Sequence, residues 1–142
     1  MGQVLPEMLE AGTLNTVGIC GLREGIDFVE RLGVEYIESR CIEIDKYISD
    51  ELLNLGAVVY SNFANKTPIT LFNIPKYRPE TISSYLDENG ICTRSGIHCS
   101  PLAHKALFTG EYGAVRVSPG YANDLKEAKK FINAVNMFKK HN

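Results

Sequence analysis

The sequence predicts an α+β fold, a small and mostly antiparallel sheet covered on one face by helices and preceded by further helices. Three observations carry this expectation. Two long runs with apolar residues at helical spacing fill the chain up to Gly56. Four short β-like runs follow, and two helical segments interrupt them, giving the order β, β, α, β, loop, β, α.

The first helical run extends from Thr16 to Leu32, with Val17, Ile19, Leu22, Ile26, Val29 and Leu32 recurring at helical intervals. Cys20 and Phe28 widen its stripe, and Gly33 ends it. Because apolar residues occupy most of its circumference, this helix asks for cover on more than one side, from an oligomer or from a larger body. The second run places Ile37, Cys41, Ile44, Ile48, Leu52 and Leu55 on one face and closes at Gly56, long enough to connect two bodies. The β-like runs are Ala57 to Ser61, Pro68 to Ile74, Gly90 to Arg94 and Ala114 to Ser118. Between them, "RPETISSYLDENG" starts with Pro79 at a first helical position and stops at Gly90. The last helix opens on Asp124 with Glu127 three residues on, a capping box, and carries Leu125, Ala128, Ile132 and Val135 on one face. Residues 1–33, 34–56 and 57–142 are therefore read as an N-terminal portion, a connecting helix and a small α/β domain.

Composition excludes several function classes. The 142 residues are 44% hydrophobic and 23% charged with a formal net charge of -2, and no like-charge run suggests a nucleic-acid or membrane surface. No apolar run approaches the roughly 20 residues of a membrane span, and the first residues lack the basic and apolar regions of a signal peptide. The expectation is a cytoplasmic protein with reduced cysteines. Cys20, Cys41 and Cys92 fall in apolar periodic contexts, where cysteine behaves as a small hydrophobe. Cys99 does not. It lies in "TRSGIHCSPLAH", among Gly, Ser and Pro that argue for a loop. A thiol there is a working nucleophile, a metal ligand or a small packed residue. The spacing of Cys92, His98, Cys99 and His104 matches no common Cys/His pattern, so no metal site is expected. His104 reads as a helix-surface residue. Arg116 sits in a short alternating strand, pointing away from its flanking valines.

The blocks "EAGTLNTVGICGLREGIDFVERLG", "RSGIHCSPLAH" and "GAVRVSPGYANDLKEAKKFINAV" resemble, in order and spacing, the C-terminal part of the class V aminotransferase family, in its cysteine desulfurase and selenocysteine lyase branch. The resemblance implies a homodimeric pyridoxal 5'-phosphate enzyme of fold type I. Within it, this chain corresponds to the end of the large domain and the whole small C-terminal domain. The family's cofactor lysine lies upstream of "EAGT", so the isolated segment is not expected to hold the cofactor or to be active.

Carried over by motif, Thr13 and Asn15 reach the cofactor phosphate of the other subunit, although either residue also suits a helix N-cap. In the resemblance Arg116 binds the substrate carboxylate through its two-donor fork, and Arg94, ahead of the cysteine loop, is a loop-orienting or substrate-side residue. The resemblance makes Cys99 the thiol that takes sulfur from L-cysteine as a persulfide and leaves L-alanine. His98 adjoins it as a proton relay, and Ile97 stands where relatives often carry a second histidine. A sulfur-acceptor protein or small thiol is the implied partner. A selenocysteine lyase, a class V aminotransferase that merely carries a cysteine, and a non-catalytic dimerisation module are the alternatives.

Overall fold

The computed structural model describes residues 4–9, 12–60 and 67–141. Glu10 and Ala11 of the first motif block and Ser61 of the first β-like run lie outside them. The chain divides into two compact units, Met1–Ile37 and Glu38–Asn142.

In the first unit a 3-10 turn (Glu7–Leu9) precedes helix α1 (Thr16–Leu32). Asn15 caps α1, its Oδ1 accepting from the Gly18 amide at 2.9 Å, which satisfies one of the amides the first turn leaves without a carbonyl. At the other end Gly33, with φ +84°, donates its N–H to the Val29 carbonyl. None of the residues of α1 is buried.

Helix α2 (Val34–Asn54) supplies the second unit with Cys41, Ile44, Ile48 and Leu52, buried at the three- and four-residue spacing of a single face. That face also carries Asp45 and Ser49, both fully buried. Thr70 donates to Asp45 Oδ1 at 2.6 Å and lies 2.7 Å from Ser49 Oγ, so a polar cluster within the core ties α2 to the sheet.

The sheet contains β1 (Val58–Val59), β2 (Thr70–Asn73), β3 (Arg94–Gly96) and β4 (Ala114–Val117), in the spatial order β1-β2-β4-β3 and antiparallel throughout. Phe72 pairs with Val115 on the face turned to the helices, and both are fully buried. Against them pack Ile82 and Leu86 from α3 (Pro79–Glu88) and Phe131, Val135 and Phe138 from α5 (Leu125–His141). The Phe72 and Phe131 rings meet edge to face at 5.9 Å. The capping box of α5 forms as its sequence prescribes, with Asp124 Oδ1 accepting from the Lys126 and Glu127 amides and Glu127 Oε2 accepting from the Asp124 amide.

Four readings of the sequence need correction. The third strand covers Arg94–Gly96 rather than Gly90 to Arg94, because the end of α3 takes up the preceding amides. Gly90 donates to the Asp87 carbonyl and Ile91 to that of Leu86, closing the helix before extended pairing can begin. Cys92 consequently lies outside any strand and is exposed, and Cys20 is exposed on α1. Only Cys41 of the three is buried as a small hydrophobe. The loop after the third strand contains a short helix, α4 (Pro101–Ala106), and His104 on it is buried rather than on the surface.

Candidate active site

The motif residues Arg94, His98, Cys99 and Arg116 all lie in the second unit. Strand alternation sets the first pair. Val115 faces the helices, so Arg116 faces away, and the antiparallel register places Arg94 of β3 directly opposite it. Like charges opposite each other across a strand pair destabilise a sheet, and an anion between them reverses the sign. Two arginines at paired positions carry planar donor forks of the kind that suit a carboxylate.

After Gly96 the chain turns through Ile97, His98 and Cys99 into α4, whose first residue is Pro101. The root of this turn is closely fixed. Gly96 (φ +108°) pairs with Ala114, and Gly113 (φ +71°) approaches it so closely that a Cβ on Gly113 would lie 2.3 Å from the Gly96 carbonyl. Asn73 holds the Gly113 side of that contact, its Nδ2 donating to the Gly113 carbonyl at 2.9 Å and to the Tyr60 hydroxyl at 3.2 Å. His98 itself has φ +57°, a left-handed conformation that costs a residue with a Cβ about 1 kcal/mol or more. Cys99 is exposed in this turn, between β3 and α4.

Burial, above all, lowers the pKa of His98 below its ordinary 6.5, and the positive charges of Arg116, His104 and Arg94 add to the effect. The imidazole beside Cys99 is therefore neutral at neutral pH and able to accept a proton. The same interactions show that the two arginines and both histidines act on one locality. Among the described residues, no three His, Cys, Asp or Glu side chains stand together as a metal site requires.

Thr13 and Asn15 belong to the first unit. Thr13 is exposed just ahead of α1, and Asn15 caps that helix through Oδ1. A hydroxyl, an amide donor and the start of a helix are chemically suited to a phosphate. On the helix-covered side of the sheet a cleft of about 420 Å³ is lined by Ile44, Ile48 and Phe131 together with Asn123, Glu127 and Lys130, and it does not include the arginine pair.

Sequence reasoning missed His104 and Thr109. His104 Nδ1 lies 2.9 Å from Thr109 Oγ1, and the His104 ring meets that of His98 at 5.5 Å. A six-residue helix is too short to show a periodic face, so no sequence signal marked His104 as buried.

The model of the class-V aminotransferase family matches residues 2–131. The chain belongs to this family. A probable cysteine desulfurase of Xylella fastidiosa is 34% identical over 132 residues, covering 92% of this chain and 31% of that protein. Another from Methanothermobacter thermautotrophicus is 36% identical over 125 residues, 86% of this chain and 31% of the relative. Among solved structures, the apo cysteine desulfurase of Thermococcus onnurineus superposes with a TM-score of 0.87 at 32% identity, over 96% of this chain and 34% of that one. A cysteine desulfurase of Escherichia coli, at 24% identity and a TM-score of 0.84, shares the fold. The chain thus spans about a third of the length of the class-V aminotransferase relatives it matches.

Proposed function

We propose that this chain is the segment of a pyridoxal-phosphate-dependent cysteine desulfurase that carries the sulfur-accepting thiol and the substrate-carboxylate clamp. The observation that carries the reading is the arginine pair, Arg94 opposite Arg116, on the strands that lead into and brace the turn bearing Cys99. The pair suits the carboxylate that every amino acid presents. An exposed thiol next to a neutral imidazole suits nucleophilic attack on the substrate sulfur. In that step a bond forms between Cys99 Sγ and the substrate sulfur while the carbon–sulfur bond breaks, and His98 takes up the thiol proton. The cofactor, when bound, stabilises the electron pair left on the carbon side. Protonation of that carbon then yields alanine. The naming of relatives as cysteine desulfurases supports the same choice of substrate.

Thr13 and Asn15 are the residues of this chain suited to the cofactor phosphate, across a homodimer interface. Transfer of the persulfide sulfur to an acceptor protein or small thiol calls for a reducing compartment, and we place the protein in the cytoplasm.

The test is made in a protein of the relatives' full length that contains this segment. Cys99→Ala is expected to abolish persulfide formation and alanine release from cysteine while leaving substrate binding in place. Arg116→Lys is expected to raise KM for cysteine about tenfold or more, because a lysine cannot supply the two-donor fork. Full activity in Cys99→Ala would return Cys99 to the role of a small loop residue.

A further inference from the structure

The site described so far leaves a buried polar group unused. His104 is only 4% exposed although it belongs to a short helix starting two residues after Cys99. Its Nδ1 is 2.9 Å from Thr109 Oγ1, and the same hydroxyl lies 3.4 Å from the His104 carbonyl, which also accepts the Thr109 amide at 3.2 Å. A hydroxyl has one proton to give. Donated to the carbonyl, it leaves an oxygen lone pair that an N–H at His104 Nδ1 can use. The ring is thereby held at both its backbone and its nitrogen.

The held ring meets His98, with the two planes 69° apart and the centroids 5.5 Å from each other. His98 needs such a neighbour. Both of its ring nitrogens are buried and neither finds a hydrogen-bond partner among the described residues, so packing must set its orientation. We propose that His104, anchored by Thr109, is a positioning residue that orients the His98 imidazole beside Cys99. The proposal rests on the desulfurase reading, in which His98 takes the Cys99 proton. His104 also belongs to the set that holds His98 neutral, together with its burial, Arg116 and Arg94. The turn therefore obtains its second histidine from α4, with Ile97 occupying the position before His98.

The test follows the His98 ring by histidine-selective NMR titration of the 142-residue chain, with Cys99 reduced. His104→Asn keeps an N–H donor for Thr109 but deletes the ring. Thr109→Val keeps the ring but removes its anchor, and Thr109→Ser restores the anchor. In His104→Asn and Thr109→Val the His98 midpoint is expected to rise toward 6.5 by about half a pH unit, roughly a threefold gain in proton affinity. Thr109→Ser should return it to the parental value. Equal His98 titrations in all four proteins overturn the proposal, and if His104→Asn does not fold, the Thr109 pair decides alone. In the full-length protein His104→Asn is expected to lower kcat for persulfide formation about tenfold, move the acid limb of its pH profile by the same amount as the NMR midpoint, and leave KM unchanged. An unchanged kcat and profile overturn the role in the reaction. Failure of the desulfurase reading shows separately, as activity retained in Cys99→Ala.

Discussion

At the level of single residues, the site depends on a histidine kept from its charge. The unfolded chain protonates His98 near 6.5, whereas the folded one does so only at lower pH, because burial and the charges of Arg116, His104 and Arg94 oppose it. Above 6.5 both states are neutral and the group contributes nothing that changes with pH. As pH falls below 6.5 toward the folded value, the unfolded chain takes up a proton that the native chain resists, and stability is lost. Urea unfolding midpoints at steps between pH 7.5 and 5 are therefore expected to fall for the parental chain and to fall less steeply for His98→Asn. An identical slope in both would assign the acid sensitivity to other groups. The turn around Cys99 and the facing of Arg116 away from Val115 were legible in the sequence, through its Gly, Ser and Pro and through strand alternation. His104 was not, because its burial follows from a hydrogen bond to Thr109 that closes only after the chain has turned beyond α4.

At the level of elements, the turn is positioned by two backbones that touch. Gly113 has a positive φ and no room for a Cβ against Gly96, whereas Gly90 has a similar φ of +72° and nothing within 4 Å of its absent Cβ. The two glycines separate conformational cost from close approach. Gly90→Ala is expected to cost about 1 kcal/mol from backbone strain alone. Gly113→Ala adds a clash with backbone that cannot rotate away, and we expect about 3 kcal/mol in urea unfolding. It should also raise hydrogen exchange at Ile97 and His98, the amides that follow the displaced Gly96. Equal losses in the two variants would show that the strands separate easily and that the turn is not fixed at its root. The capping box of α5 and the proline start of α3 could be read directly, since both are local hydrogen-bonding rules. The start of β3 could not, because Ile91 has a strand-forming side chain whose amide is already committed to ending α3.

For the molecule as a whole, the two units differ in how their apolar residues are used. The second has a continuous core in which Leu52, Phe72, Ile82, Leu86, Val115 and Val135 are fully buried. Truncation there, as in Phe72→Ala, is expected to cost about 3–5 kcal/mol. Helix α1 exposes Val17 at 82%, Leu22 at 65% and Ile19 at 54%, with Ile26 also exposed, a pattern the sequence announced by spreading apolar residues around the helix. Exposed apolar surface of this kind drives association in water. The chain spans about a third of its relatives' length, and a helix with apolar residues on more than one side is suited to lie between bodies. The 142-residue chain is expected to self-associate as its concentration rises from about 1 to 100 μM, a range set by the micromolar affinities of modest apolar interfaces. A Val17→Lys/Leu22→Lys variant should remain monomeric across that range in light scattering, while its thermal midpoint for the second unit stays at the parental value, because neither side chain belongs to that core. A parental chain that is monomeric throughout the range would show that the exposed stripe of α1 does not by itself bring copies of the chain together.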